Sequence, residues 1–523
     1  MHAWIAVAFC LLVAVPIAHA QPAQDHAHGG MGVPAETRIL EGYGNGGFAI
    51  TTASPRAQAF FNNGMQLAHA FAHGAAVAAM REAKRLDPEC AMCVWGEAWA
   101  GGPTINFNKE GEELAELAAL AARAQQLANA NGTSKERALA EALVARYTDG
   151  GGGKPGDLAF ARSMRQIAEQ YPGDPEMATI AADAALMVPG AGTPKGDRMN
   201  GRRAMALLEP VLRRDPDFTP AIHFYIHATE GAGRPALAEA YADRLAALAP
   251  KAAHLIHMPS HTYYWVGRYE DAARANIEAV KVGIEQAKAM GIMTTDGLWG
   301  LPYHVHNITF GIGGALMAGD TVSAMALAEP LVAMATARAK AGTYQQIVGS
   351  EGYFAYARFA DSNAALAVPA PRLPILLGSW HYMRGEAFAR RGDANALLAE
   401  AAAIPVQPPP LSADNFTLQA SMLLDIERLV LQARAAELDR DLRGALSAYE
   451  RAAALQERPD FGIISDPPAF WYPVRRDAAR LMLELGDRRG AARAARRSLQ
   501  FRPRDPVALE LLKQSARPDA ARG

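Results

Sequence analysis

Cysteine is nearly missing from this 523-residue chain, with three residues at positions 10, 90 and 93. So few cannot make a disulfide framework, and a single C-x-x-C without a second does not make a structural zinc knuckle. An excess of one charge is missing too. The 52 basic and 54 acidic residues leave a net charge of −2, which gives no global reason to bind nucleic acid or an anionic membrane. β-Branched residues are sparse in the long segments and alanine is abundant, a balance that favours helices throughout. No serine nucleophile elbow, phosphate-binding glycine loop or His-Glu-x-x-His helix occurs, so the common hydrolase, nucleotide and metalloprotease signatures are excluded.

What is present begins with MHAWIAVAFCLLVAVPIAHA, an apolar core closed by Ala18-His19-Ala20. Residues 1–20 are expected to be a signal peptide cut before Gln21, which makes the protein exported, periplasmic or secreted. No transmembrane helix is expected after cleavage, because the apolar run lies within the leader. Residues 21–54 lack periodicity and are expected to be a flexible N-terminal segment. Cys90 and Cys93 then remain, as a disulfide, a redox pair or two soft metal ligands.

The rest of the chain repeats. Pro216 and Pro250 lie 34 residues apart, and so do Gly233 and Gly267, His223 and His257, and His227 and His261. Small residues followed by a closing proline recur at Gly64, Ala76, Ala83 and Pro88, and again at Gly486, Ala491, Ser498 and Pro503. Small residues let two helices approach, and the proline stops the second one. Residues 55–403 form the expected main array. Residues 404–412 (IPVQPPPLS) form a Pro-rich connection, residues 413–510 C-terminal repeats, and residues 511–523 a flexible tail.

This pattern resembles the tetratricopeptide repeat (TPR) family over most of the mature chain. More narrowly, Phe71-Ala72-His73, Cys90-Ala91-Met92-Cys93, the 225–230 run, His257-Met258-Pro259-Ser260-His261, His306-Asn307 and the 468–473 run resemble a group of exported bacterial TPR proteins. The resemblance implies an all-α, right-handed α-solenoid of roughly eight to ten degenerate helix pairs with loop insertions. It also implies that first helices line a concave groove holding a protein, peptide or small-molecule ligand.

Helical geometry adds an independent point. At about 100° per residue, offsets of 0, 4 and 7 or of 0, 3 and 7 stay within a ~60° sector. His223, His227 and Glu230 therefore form one polar stripe, and His254, His257 and His261 another. Pro259 threatens the second stripe, because a helix starting there would leave His254 and His257 on the preceding loop. His304 and His306 follow on the next first helix, and His69 and His73 sit on the first repeat. The expected ligand groove comprises His223, His227, Glu230, His254, His257, His261, Tyr264, His306, Trp471 and Arg476. Imidazoles converging with a carboxylate also suit Zn, Cu or Fe, with His223, His227, Glu230, His257 and His261 as the candidate ligands. Two functions follow: a TPR scaffold binding its ligand in a His-rich groove, or a metal-binding protein, an oxidase or hydrolase, with its site on adjacent first helices.

Overall fold

A computed structural model describes residues 34–147, 154–188, 190, 193–292, 294, 296–406, 415–462 and 467–516. The expected signal peptide and most of the Pro-rich connection lie outside these residues. Among the described residues there is no strand, and no helix is long and apolar enough to cross a membrane.

The turns explain the pairing. Gly319, Gly392 and Gly486 each end a first helix, and each is followed by an aspartate that starts the second. Gly319 takes φ +80°, a left-handed conformation that a side chain would strain. Asp320, Asp393 and Asp487 then accept the N–H of Ser323, Ala396 and Gly490 at 3.1, 3.0 and 2.7 Å. Each Gly-Asp step thus closes one helix and caps the next.

The resulting pairs are Pro55–His69 with His73–Leu86, Ala91–Ala100 with Gly111–Asn131, Ser134–Tyr147 with Lys154–Gln170, and Pro175–Leu186 with Pro194–Arg214. Thr219–Gly231 then pairs with Glu239–Leu248, the bent Ala253–His257/Pro259–Val266 unit with Tyr269–Ala289, and His304–Ala318 with Thr321–Ala337. Thr343–Phe359 with Ser362–Ala367, Pro374–Arg391 with Ala394–Ala403, Asn415–Leu438 with Leu442–Gln456, and Arg475–Glu484 with Arg488–Phe501 complete the series before a last helix, Pro506–Ala516. The series exceeds the eight to ten pairs expected, because second helices as short as Ser362–Ala367 leave little periodic signal.

One apolar core runs from Tyr43 to Leu481, so the arrays before and after the Pro-rich connection share it. Residues 34–54 are packed, contrary to the flexible segment expected. Tyr43 and Phe48 are buried, Lys251 N–H donates to the Gly42 carbonyl at 2.9 Å, and Thr219 N–H donates to Asn45 Oδ1 at 2.8 Å. These bonds to distant repeats replace the periodicity that the segment lacks. The expected tail is likewise helical as far as Ala516. At the other end, the Arg502 guanidinium lies 5.3 and 5.4 Å from the Tyr264 and Trp265 rings, and Tyr269 Oη donates to the Pro503 carbonyl at 2.8 Å. The last repeats therefore pack back onto the 264–269 turn.

Candidate metal centre

Three consecutive first helices supply the histidines. Thr219–Gly231 carries His223 and His227, and His304–Ala318 carries His306. Between them, Pro259 breaks the helical hydrogen bonding without ending the helical path. Met258 keeps φ −49° and ψ −38°, its N–H donates to the His254 carbonyl at 2.9 Å, and the Pro259–Val266 helix follows directly. His254, His257 and His261 thus stay on one bent helical run rather than falling on a loop.

Six imidazoles gather in two triads. In one, His223, His227 and His254 bring a nitrogen each to within 4.8 Å of one another; in the other, His257, His261 and His306 do the same. The triads adjoin, since the His227 and His261 ring centroids are 5.5 Å apart and those of His254 and His257 are 5.6 Å apart. His223 and His257 are fully buried, and His227 and His306 are only partly covered.

Hydrogen bonds at the far ring nitrogens fix which atoms face inward. Asn276 donates its Nδ2 to the Ala272 carbonyl at 2.8 Å, which turns Oδ1 towards His257 Nδ1 at 2.6 Å. That oxygen can only accept, so His257 Nδ1 carries the proton and Nε2 is left as a lone pair. His261 Nδ1 meets Glu230 Oε2 at 2.8 Å, while Glu230 Oε1 accepts from Trp265 Nε1 at 2.6 Å. Burial alone would raise the Glu230 carboxyl, but the charge and hydrogen bond of His261, then His227 and Trp265, hold it below its usual range. His261 Nδ1 therefore donates as well.

The Nε2 atoms of His257 and His261 then face each other at 3.0 Å. A charged His261 satisfies that contact by donating Nε2–H to His257; a neutral one sets two lone pairs face to face, a clash that a metal ion between them would relieve. Two ligands of an ion with 2.0–2.1 Å bonds stand about 2.9 to 3.3 Å apart, between right-angled and tetrahedral geometry. The first triad also brings two Nε2 atoms together, with one of its rings anchored from behind. His223 Nδ1 donates to the His69 carbonyl at 2.7 Å, and His223 Nε2 faces His254 Nε2 at 3.1 Å. A neutral His254 satisfies that contact only by donating Nε2–H. Its buried Nδ1 and the buried Nε2 of His227 have no hydrogen-bond partner.

Burial lowers the pKa of His223 to about 3, with the His69 carbonyl opposing in part. It holds His227, His254 and His257 well below the usual imidazole range, and neighbouring imidazoles add to the effect. Neutral imidazole is the form that binds metal.

The walls are aromatic. Phe310 lies 5.1, 4.4 and 5.1 Å from His257, His261 and His306. His254 packs against both Phe71, stacked at 4.7 Å, and Tyr303, tilted at 4.4 Å, and those two rings also touch each other at 5.6 Å. Both of those residues hold a left-handed backbone, with φ of +56° and +62°. Such strain costs on the order of 1–3 kcal/mol per residue and persists only where surrounding contacts over-determine it.

The remaining expected residues divide. Glu230 joins neither triad; it orients His261 from outside, because its two oxygens are taken by His261 and Trp265. His254 and His306, expected only in the groove, complete the triads. His69 pairs with Glu176 at 2.8 Å, His73 packs on Phe71, and His304 lies near Trp299; none belongs to a triad. Tyr264 is buried beside Arg502, Trp471 stacks under Arg358, and Arg476 forms a buried ion pair with Asp505 at 3.1 Å. Cys90 and Cys93 are joined as a disulfide at the start of the Ala91–Ala100 helix, which removes them as a soft-metal pair.

Asn276 and Tyr303 were not singled out by sequence, and Phe71 entered only as part of the Phe71-Ala72-His73 motif. A buried asparagine among Ala272, Ala273 and Ala279 was the available sign for the first. Left-handed aromatics leave no such sign.

No protein-family model and no curated protein matches the chain. Among solved structures it is similar to the human IFIT1 dimer with m7Gppp-AAAA, at 12% identity over 89% of this chain and 90% of that one, with a TM-score of 0.31. It is also similar to the APC/C hetero-tetramer Cut9–Hcn1, at 11% identity over 88% and 76%, with a TM-score of 0.28. Yeast Tom70 gives 9% identity over 88% of both chains and a TM-score of 0.26. At these TM-scores the likeness carries no argument, and the all-α helical-repeat architecture rests on the helix pairs themselves.

Proposed function

We propose that this is an exported metal-binding protein whose two three-histidine sites hold a pair of copper or zinc ions. The observation that carries the reading is the facing Nε2 atoms of His257 and His261, 3.0 Å apart, with each ring held from behind through its Nδ1 by an acceptor. A shared proton would also quiet that pair. The metal reading is favoured because a third imidazole joins each pair and the two triads adjoin. All-imidazole donor sets suit Cu and Zn better than the two-histidine, one-carboxylate set typical of non-haem iron. Export is supported by the leader-like N-terminus and by the Cys90–Cys93 disulfide, which suits an oxidising compartment. Peptide binding in an open groove is less well supported, since His223, His254, His257 and His261 are buried.

The test is metal content by mass spectrometry on protein made without a histidine tag and reconstituted with copper or zinc. About two ions per chain are expected, falling to about one in His257→Ala/His261→Ala and separately in His223→Ala/His227→Ala. Wild-type protein that stays folded yet takes up neither ion would overturn the reading.

A further inference from the structure

A cavity of about 220 Å³ opens beside the second triad. Its walls come from the 296–306 insertion between repeats, the 104–110 loop, the facing ends of the Thr321–Ala337 and Thr343–Phe359 helices, and Leu376 of the Pro374–Arg391 helix. His306 lines it, and His306 is the one member of its triad that is not fully covered. The cavity is therefore where a molecule from solvent would meet that face of the site.

The lining sets the chemistry. Trp299, Tyr303 and Tyr344 bring aromatic side chains to the lining, and Val348, Met334 and Leu376 bring apolar ones. The charged groups, Arg338 and Asp296, pair with each other at 2.8 Å, so neither calls for an ionic ligand. Cavities of about 150 Å³ with apolar walls take up benzene, so this one holds a single ring with a substituent. The side chains of Asn106 and His306 put polar groups on the lining beside that substituent. We propose that the cavity binds an uncharged phenol, its ring between Trp299 and Tyr303 and its hydroxyl turned to the open face of the His257–His261–His306 site. The second half of this statement rests on the metal reading above; the first half does not.

The test titrates phenol into the full chain, both metal-free and loaded with copper(II), following binding by calorimetry and the copper site by its visible absorption. Benzoate and cyclohexanol serve as comparators. Phenol is expected to bind at least about tenfold more tightly than either. Val348→Trp, and independently Met334→Trp, fill the cavity and should each weaken phenol at least about tenfold. Copper stoichiometry should be unchanged in both variants, which also reports that they have folded. Benzoate binding as well as phenol, or phenol binding unchanged in both filled variants, would overturn the pocket. Phenol binding that leaves the copper absorption unmoved would overturn the orientation towards the site. A chain that takes no copper but still binds phenol in a Val348-dependent way would sink the metal reading and uphold the pocket.

Discussion

Replacing Asn276 with alanine separates a positioned metal ligand from a merely buried histidine. Asn276 touches no inward-facing nitrogen. It holds the His257 ring from behind at 2.6 Å and is itself held by the Ala272 carbonyl at 2.8 Å. Removing an outer partner of this kind typically costs 10- to 100-fold in metal affinity, or about 1.4 to 2.7 kcal/mol. The truncation also leaves the buried His257 N–H with only the long contact to Ser260 Oγ at 3.4 Å, at roughly 1–3 kcal/mol of fold stability. Asn276→Asp restores the acceptor but not the donor that reaches the Ala272 carbonyl, and should recover part of the affinity. The measurement is competition against a chromophoric chelator at pH 7, with thermal unfolding of metal-free protein as the companion. One of the two sites should weaken while the other stays as in wild type. A folded Asn276→Ala variant with wild-type affinity at both sites would refute the reasoning, and so would an Asn276→Asp variant no better than alanine.

Two further outcomes follow from packing and burial. Glu427 is fully buried, accepts from Ser379 Oγ at 2.5 Å, and is pushed up to about 8 by burial, with Ser379 and then Arg428 opposing. Its folded pKa lies above the unfolded one, so its contribution is complete below about pH 4.5 and fades as pH rises towards 8. Urea unfolding at pH 5 and pH 8 should show wild type losing up to a few kcal/mol more than Glu427→Gln over that span, with a ceiling of ~1.4 kcal/mol per pH unit; equal losses would contradict the assignment. A Cβ on Gly314 would stand 2.8 Å from the Ala273 nitrogen and 2.9 Å from the Tyr269 oxygen, which are backbone atoms of the neighbouring helix. Gly314→Ala should destabilise by about 1–3 kcal/mol in denaturant titration and loosen the helix carrying His306.

The helix pairs were legible because small residues, prolines and Gly-Asp turns are local signals that recur at a fixed period. The convergence of histidines was legible only in part. The 34-residue offset paired His223 with His257 and His227 with His261, as equivalent residues of successive repeats. In space the groupings are staggered instead, with His254 completing one triad and His306 the other. Stagger depends on how far one helix slides past the next, which no spacing within a repeat records. Pro259 misled in the same way, since a missing N–H does not say whether the backbone on either side stays helical. The role of Glu230 needed the position of Trp265, and the packed course of residues 34–54 needed Thr219 and Lys251, both far along the chain.

Both ends of the described chain are fastened to the same central repeats. The 34–54 segment is bonded to Thr219 and Lys251, and the 502–503 turn rests on Tyr264, Trp265 and Tyr269. An ordinary stack of helix pairs unravels from its free ends, one neighbour at a time. Here neither end can lift without stripping cover from the repeats that hold the histidines. Fraying is thereby converted into a central event, and trimming either terminus should register as a change in the accessibility of residues two hundred positions away.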